Sequence, residues 1–374
     1  MAKKILQMAN KAGKIDLQKM QKLVNKKTGL NVAHDLREDT PTVVKDWIPT
    51  GSRWLDSIIC RGKIAGIPVG KITEIAGLSG AGKSFMAAQI AANAQKMGLF
   101  VVYFDAESAI DPTFLESAGC DLSNLLYVQA VSVEKVLETI EELMDSYEDQ
   151  RFLFIWDSVA ATSSEKEIES DYNPQSTMSV KARIFGKAFP KLTIPLADRQ
   201  CTLLLVNQLK ANINTRNPME VLTTPFIAPG GKALGYFSSL RIWLTKRKSK
   251  ASFLKDDTGL RIGSEVKCKL EKSRFGTEGR ECTFKILWSG GAAIQDQESW
   301  LIALKASKTP RLVVSGAWYK LTSPSGKEFK FQSKDWLTKL GDGEFKQAVF
   351  DIMDEEIVKR FDSEGKNFSV SDED

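Results

Sequence analysis

The segment from Gly77 to Ser84 constrains the fold of this chain more than any other. It reads GLSGAGKS and matches the phosphate-binding pattern G-x-x-x-x-G-K-[ST]. It directly follows a strand predicted over 71–76 and directly precedes a helix predicted over 83–97. Glycines in such a turn let consecutive backbone N–H groups and the helix N-terminus surround a phosphate. The sequence therefore predicts an α/β fold that binds phosphate at this loop.

The residue types in this loop indicate individual contacts with a bound nucleotide. Lys83 is expected to contact the β- and γ-phosphates, and the Ser84 hydroxyl is expected to ligate Mg²⁺. The residues predicted to bind the nucleotide here are Gly77, Ser79, Gly80, Ala81, Gly82, Lys83, Ser84 and Phe85.

Short apolar segments alternate with helical patterns through the middle of the chain. Further strands are predicted over 99–105, 152–157, 201–207 and 239–245, and further helices over 133–145 and about 182–197. Apolar strands between helices are typical of a mainly parallel twisted sheet that is covered by helices on both faces. The segments 265–270 and 282–288 predict two antiparallel strands that close the sheet.

Composition and turn residues divide the chain into four predicted regions. A short N-terminal helical segment spans 1–47, the α/β core spans 48–291, a small α+β domain spans 292–361 and an acidic tail spans 362–374. Residues 1–27 hold eight lysines and one acid, whereas the tail holds five acids and one lysine. Together with a net charge of +5, this layout favours a polyanionic partner only weakly, because solvated faces have the same composition.

Several protein classes are excluded by what the chain lacks. It contains no apolar run of the 18 residues that span a bilayer and no secretory signal at its start, so a cytoplasmic protein is expected. Its five cysteines show no C-x-x-C spacing, which predicts buried, reduced thiols and argues against a zinc knuckle. A single histidine, His34, excludes a metal site made of several histidines.

Two acids stand at the carboxyl ends of predicted strands, where open α/β sheets bind ligands. Asp157 ends the strand over 152–157 and is a candidate ligand of Mg²⁺ through a water molecule. Glu107 follows the strand that ends at Asp105 and is a candidate to activate a water molecule. Either acid alone could equally be a helix cap or a loop residue.

Several ordered motifs resemble those of the RecA recombinases over about residues 48–340. They are Ile48 to Asp56 (IPTGSRWLD), Asp105 to Pro112 (DAESAIDP), Asp157 to Ala161 (DSVAA), Asn207-Gln208, Gly230 to Leu234 (GGKAL), Ile262 to Glu265 (IGSE) and Gly316 to Tyr319 (GAWY). Two features, Glu271 to Arg274 (EKSR) and the long connection from Ile58 to Gly70, look more like the UvsX recombinases of T-even-type bacteriophages. Asn207-Gln208 is closer to the bacterial form.

The resemblance implies a RecA-like P-loop ATPase core and gives roles to further residues. It makes Glu107 the catalytic carboxylate and Gln208 the residue that couples the γ-phosphate to the DNA-binding loops. Asp111 would hydrogen-bond adenine, and Phe114 would stack on it. Lys272 and Arg274 resemble the paired cations that reach the γ-phosphate of the neighbouring subunit in a RecA filament.

The family binds DNA through two loops, which correspond here to about 165–181 and 209–229. The predicted DNA-binding residues are Met178, Arg183, Lys210, Arg216, Phe226, Gly230 and Gly231. Pro190 stands where bacterial relatives have a contacting arginine, so Lys187 or Lys191 could substitute for it. Composition alone would explain both loops equally well as mobile surface segments.

The resemblance implies a DNA-dependent ATPase that uses ATP and Mg²⁺. Such a protein would form helical filaments of its own copies on single-stranded DNA and would exchange strands with double-stranded DNA. A single-strand-binding protein and a recombinase loader are further candidate partners, and a phage protein would act in the host cytoplasm. One alternative is a RecA-like regulatory paralogue that binds DNA or a recombinase without exchanging strands. A P-loop kinase or transporter ATPase is the other, but the motifs after the P-loop disfavour it.

Overall fold

The computed structural model describes residues 16–29, 32–37, 42–170, 179–212, 225–246, 252–288 and 294–359. They divide into two compact units, of which the first ends at Lys45 and the second begins at Asp46. Among the described residues, no helix combines the length and the apolar character needed to cross a bilayer.

The first unit contains helix α1 (Leu17–Thr28). Asp16 caps its N-terminus by accepting a hydrogen bond from the Lys19 N–H at 3.2 Å. The helix ends at Gly29, whose φ of +69° is a left-handed conformation that glycine adopts without strain. Its apolar side chains Leu17, Met20, Leu23 and Val24 are all exposed. Helix α1 therefore has an exposed apolar face.

A large, mainly parallel sheet forms the centre of the second unit. Its parallel strands are β3 (Ile72–Gly77), β4 (Phe100–Asp105), β5 (Leu125–Gln129), β6 (Phe152–Asp157), β7 (Thr202–Gln208) and β10 (Leu240–Lys246). Its antiparallel strands are β11 (Phe253–Lys255), β12 (Arg261–Ser273), β13 (Glu281–Leu287) and β14 (Ile294–Gln295). The strand order is β14-β13-β12-β10-β3-β7-β6-β4-β5, and β11 pairs with β12.

Helices cover both faces of this sheet, as its apolar strands require. The covering and connecting helices are α2 (Arg53–Ile59), α3 (Lys83–Lys96), α4 (Pro112–Ser117), α5 (Val133–Ser146), α6 (Glu165–Glu169), α7 (Val180–Asp198) and α8 (Lys232–Phe237). The side chains of successive residues in one strand pack into the hydrophobic cores on opposite faces of the sheet. On β6, Leu153 and Ile155 pack with α3, whereas Phe154 and Trp156 pack with α5 and α7. Strands buried on both faces read as continuous apolar runs, which is why the sequence predicted them.

The C-terminal part of the second unit has its own antiparallel sheet. Its strands are β15 (Leu312–Ser315), β16 (Trp318–Thr322) and β17 (Glu328–Gln332), and its helices are α9 (Gln297–Ala306), α10 (Trp336–Lys339) and α11 (Gly343–Met353). The aromatic rings of Phe331, Trp336 and Phe345 pack against one another here, with centroids 5.3 to 5.6 Å apart.

Every strand predicted in the core is present within a few residues of its expected bounds, and all five cysteines are buried and free. The structure also contains elements that the sequence did not predict. They include the edge strand β5, the strands β11 and β14, the small sheet of β1 (Trp47–Ile48) with β2 (Ile67–Pro68), and the pair β8 (Lys210–Ala211) with β9 (Phe226–Ile227). The last pair lies inside the loop predicted over about 209–229, and its backbone pairing closes the base of that loop.

Asp56 on α2 places a buried carboxyl group close to a second one, Asp296. Asp56 Oδ1 accepts hydrogen bonds from the Thr50 N–H at 3.1 Å and the Thr50 hydroxyl at 2.7 Å. Asp296 Oδ2 accepts one from the Ser52 hydroxyl at 3.0 Å. Burial raises the pKa of Asp56 to about 7, against the opposing effect of the Thr50 hydrogen bonds and with added repulsion from Asp296.

Asp56→Asn should remove part of the pH dependence of stability. Native Asp56 keeps its proton up to about pH 7, whereas the unfolded chain releases it near the ordinary pKa of 3.8. Because the native state binds more protons in this window, the free energy of unfolding falls as the pH rises, by at most about 1.4 kcal/mol per pH unit. Denaturant titrations at pH 5 and pH 8 measure the loss, which should be larger for the wild type than for Asp56→Asn. Equal losses would contradict the raised pKa.

Candidate active site

The carboxyl ends of β3, β4, β6 and β7 meet at one edge of the sheet. Gly77 at the end of β3 lies opposite Gln208 at the end of β7. Asp157 at the end of β6 lies opposite Asp105 at the end of β4. The parallel register therefore brings the predicted phosphate loop, both predicted carboxylates and the predicted sensor to the same place.

The phosphate loop joins β3 to α3 in a conformation that depends on its glycines. Gly82 has a φ of +84°, and a Cβ there would collide with Ile286 on β13. A Cβ on Gly77 would lie 2.9 Å from the carbonyl oxygen of Leu244 on β10. Lys83 Nζ donates a hydrogen bond to the carbonyl of Leu78 at 3.3 Å, which holds this amine over the loop.

Asp157 is hydrogen-bonded to Ser84, the last residue of the phosphate loop. Its Oδ2 accepts hydrogen bonds from the Ser84 hydroxyl at 2.7 Å and from the Tyr103 hydroxyl at 2.9 Å. Burial raises the pKa of Asp157, while the Ser84 and Tyr103 hydrogen bonds act in the opposite direction. Burial also raises the pKa of Tyr103 well above its ordinary value, with a further contribution from the Asp157 charge, so Tyr103 stays a neutral donor.

Glu107 is held by two donors that come from the neighbouring strands. Its Oε1 accepts hydrogen bonds from the Ser158 hydroxyl at 2.7 Å and from Gln208 Nε2 at 3.2 Å. The peptide bond that joins Asp157 to Ser158 is cis. Buried Asp105 fixes the backbone on either side of Glu107, because Asp105 accepts from the N–H groups of Glu107 at 2.9 Å and Ile110 at 3.1 Å.

A cavity of about 200 Å³ adjoins these groups, and Phe85 and Phe114 form its apolar side. The two rings meet edge to face with centroids 4.7 Å apart. Asp111 caps α4 by accepting hydrogen bonds from the Thr113 N–H at 2.7 Å and the Thr113 hydroxyl at 2.5 Å. These bonds lower the pKa of the exposed Asp111 carboxyl, so it is an ionised acceptor.

A second cavity, of about 410 Å³, lies on the other side of the loop between Gly80, Gly82, Lys83 and Trp288. Trp288 directly follows β13, and its indole is partly exposed. The Arg261 guanidinium lies 4.7 Å from the centroid of the Trp288 ring and 3.8 Å from that of the Phe253 ring. These cation–π contacts help to hold the indole in position.

These residues fit a nucleotide phosphate chain with Mg²⁺. The glycine loop leaves its backbone open to phosphate oxygens, and the Ser84 hydroxyl and the Asp157 carboxylate supply the oxygen ligands that Mg²⁺ prefers. Ser84 and Asp157 are the residues that would hold the ion. The raised pKa of Asp157 reflects a buried negative charge that a divalent cation would stabilise.

Lys272 and Arg274 do not join this site. In the strand register, Lys272 on β12 lies opposite Arg241 on β10, and Arg241 lies opposite Glu74 on β3. Glu74 stands three residues before Gly77. The Lys272 amine donates to the carbonyls of Gly235 at 2.6 Å and Tyr236 at 3.0 Å, and Arg274 donates to Tyr236 at 2.8 Å. The side chains of both cations therefore contact the last turn of α8 and lie toward the amino ends of the parallel strands. Partial burial and the charge of Arg274 lower the pKa of Lys272.

Five of the seven predicted DNA-binding residues are among those that the structure describes, and they lie around the ends of the two loops. Lys210 starts β8, Phe226 starts β9, and Arg183 is exposed on the first turns of α7. Gly230 and Gly231 have φ values of +107° and +76°, and a Cβ on Gly231 would lie 2.7 Å from the Ala182 Cβ on α7. Lys191 pairs with Glu141 at 3.1 Å, whereas Lys187 is exposed. Met178 and Arg216 lie outside the described residues.

The comparison with known proteins agrees with this architecture. The model of the RecA N-terminal domain family matches residues 15–293. The chain belongs to the RecA family. RecA of Symbiobacterium thermophilum is 31% identical over 315 residues, which cover 84% of this chain and 85% of the relative. RecA of Fusobacterium nucleatum is 34% identical over 284 residues (75% and 70%), and RecA of Mannheimia haemolytica is 30% identical over 299 residues (80% and 76%).

Four residues of this RecA-family site were not predicted as site residues. Tyr103, Asp105 and Ser158 stand within four residues of Glu107 or Asp157 in the chain, and that proximity was the signal that could have found them. Trp288 is far from the phosphate loop in the sequence, and only the pairing of β13 into the sheet brings it there.

Binding of a non-hydrolysable ATP analogue with Mg²⁺ should change the fluorescence of Trp288, because the ligand would fill the cavity that this indole lines. A fluorescence titration should lose most of this change in Trp288→Phe. Trp318 is exposed on the C-terminal sheet, so Trp318→Phe is the matched control and should keep the change. A wild-type response in Trp288→Phe would show that the indole does not face the nucleotide.

Proposed function

We propose that this chain is an ATP-dependent DNA recombinase that forms helical filaments on single-stranded DNA. It would catalyse homologous pairing and strand exchange in recombination, repair and recombination-dependent replication. Membership of the RecA family supports the recombinase role, since proteins of this family are DNA-dependent ATPases. The observation that carries the proposal is the hydrogen bond from Gln208 to Glu107, which ties the candidate catalytic carboxylate to the start of the second loop.

The residues at the strand ends would each have a separate role in the hydrolysis of ATP. Bound Mg²⁺ would supply positive charge that neutralises phosphate oxygens. Lys83 would exchange the Leu78 carbonyl for the β- and γ-phosphates, which lie within reach of the same loop. We assign proton acceptance from the attacking water to Glu107 Oε2, because Oε1 already accepts hydrogen bonds from Ser158 and Gln208.

Gln208 would report the nucleotide state to DNA. Its side chain bonds Glu107, and two residues later β8 begins the ladder with β9 that closes the second loop. A γ-phosphate would offer Gln208 Nε2 a second acceptor, so its presence would shift the end of β7 and with it this ladder. Lys210 and Phe226 on the ladder supply a cation for the DNA backbone and an apolar group for bases. Single- and double-stranded DNA are the proposed partners.

Filament formation is supported by two features of the chain. The exposed apolar face of α1 is suited to pack on a neighbouring subunit, and head-to-tail contacts that do not close generate helices. Lys272 lies level with Glu74 across β10, and Glu74 is roughly 10 Å along β3 from Gly77, so Lys272 and Arg274 stand away from their own phosphate loop. They are therefore proposed to act on the nucleotide of the adjacent subunit, where two added cations would stabilise transition-state charge.

Within the family, we propose a place near the UvsX recombinases of T-even-type bacteriophages. The support is the EKSR segment, which holds Lys272 and Arg274, and the long connection from Ile58 to Gly70. In the structure this connection contains β2, which pairs with β1.

Strand exchange tests the proposed function. The purified protein should form helical filaments on single-stranded DNA with a non-hydrolysable ATP analogue, visible by electron microscopy, and should exchange strands with ATP. Glu107→Gln should still bind nucleotide and DNA but hydrolyse ATP slowly, because the amide keeps the shape of the side chain and loses the base. DNA binding without any strand exchange by the wild type would identify a regulatory paralogue instead.

A mixture of two inactive proteins tests the role of Lys272 and Arg274 in trans. Lys83→Ala has intact cations, and Lys272→Ala/Arg274→Ala has an intact phosphate loop. In a random equimolar filament about a quarter of the interfaces would regain a complete site, as head-to-tail geometry requires. DNA-stimulated ATP hydrolysis should therefore appear on mixing. Background activity in filaments that demonstrably contain both proteins would refute action in trans.

A further inference from the structure

Glu74 carries a fully buried carboxylate on the strand that leads into the phosphate loop. Its side chain is 0% exposed. Its Oε1 accepts a hydrogen bond from Asn207 Nδ2 at 2.8 Å, and its Oε2 accepts one from Arg241 Nε at 2.5 Å. Moving a charge out of water costs several kcal/mol, and a buried ion pair is often no more stable than apolar residues of similar size. Stability alone is therefore a weak reason for a carboxylate at this position.

Asn207 connects Glu74 to the nucleotide side of the sheet. This residue is also fully buried, and its Nδ2 donates a second hydrogen bond to the Pro229 carbonyl at 2.8 Å. Its Oδ1 accepts one from the Gln208 N–H at 2.9 Å. A movement of the Gln208 backbone therefore acts on Asn207, and through it on both Glu74 and the segment that ends the second loop.

Arg241 connects Glu74 to α8. Its side chain is largely buried, and one guanidinium nitrogen lies 3.5 Å from the point where a Cβ on Gly235 would stand. The carbonyl of the same Gly235 accepts the hydrogen bond from Lys272. Arg241 and Lys272 are also opposite each other on β10 and β12. The last turn of α8 thus contacts the buried network, the partly buried Lys272 and the exposed Arg274.

We propose that Glu74 is a positioning residue that couples the nucleotide state at Gln208 to α8 and to the cations Lys272 and Arg274. The inference rests on the proposed function and deepens it. Buried polar groups keep their partners because losing one is costly, so Asn207, Glu74 and Arg241 move together when the end of β7 shifts. The nucleotide bound at one end of the sheet then changes how the cations at the other end are presented to the next subunit.

The test measures how strongly nucleotide controls DNA binding. The coupling ratio is the Kd for a labelled single-stranded oligonucleotide with ADP, divided by the Kd with a non-hydrolysable ATP analogue. Glu74→Gln keeps the side-chain shape and the acceptor for Asn207 but turns an amide donor toward Arg241. It should lower the coupling ratio by about fivefold or more, which is the lower range of allosteric couplings, while nucleotide affinity stays at the wild-type value. A purely structural role would weaken DNA binding with both nucleotides alike and leave the ratio unchanged.

Two further variants make the outcome decisive. Arg241→Lys keeps the charge that pairs with Glu74 but removes the guanidinium next to α8, and it should also lower the ratio. Asp56→Asn replaces a buried carboxyl group outside the network and should keep the wild-type ratio. If Glu74→Gln does not fold, Arg241→Lys decides. A wild-type ratio in either folded variant would overturn the coupling role, whereas a wild type with no nucleotide-dependent DNA binding would overturn the proposed function itself.

Discussion

The parallel pairing of β3 with β7 on one side and β10 on the other determines where the functional groups of this chain lie. Parallel strands end at the same edge of a sheet, so the phosphate loop after β3 meets Gln208 at the end of β7. A sheet buried on both faces has little room for charged side chains along its length, and these collect at the strand ends. Because β12 runs antiparallel to β10, the same pairing sends Lys272 and Arg274 to the opposite edge.

The electrostatics of the catalytic edge follow from its burial. Asp157 is nearly inaccessible, and desolvation raises its pKa although two hydroxyl groups donate to it. A divalent cation held near Asp157 would stabilise this buried negative charge. Glu107 instead receives its hydrogen bonds from Ser158 and Gln208, which orient the carboxylate. The two acids lie close together but have different environments, as is typical where one carboxylate holds a metal ion and another acts as a base, the roles proposed for Asp157 and Glu107.

Under the proposed head-to-tail assembly, the proposed nucleotide site and the cations of one subunit would belong to two different interfaces, so a change of nucleotide would have to be transmitted across the sheet. Glu74, Asn207 and Arg241 lie between them on one face of the sheet and are hydrogen-bonded throughout. Arg241 lies next to Gly235 on α8, and the Gly230–Gly231 turn, which has positive φ values and packs on α7, directly precedes the same helix. Arg241, the end of the second loop and the two cations therefore meet at one short helix.

The sequence by itself determined the phosphate loop, the core strands and the carboxylates Glu107 and Asp157, because these depend on local spacing and on apolar runs that only a doubly covered sheet produces. It could not reveal the edge strand β5, whose pattern of half-exposed residues is weak, or the β8–β9 ladder, whose partners are far apart in the chain. Trp288 and the Glu74 network were decided by tertiary structure alone. Their contacts arise from strand pairing between segments more than a hundred residues apart, and local sequence carries no information on such pairing.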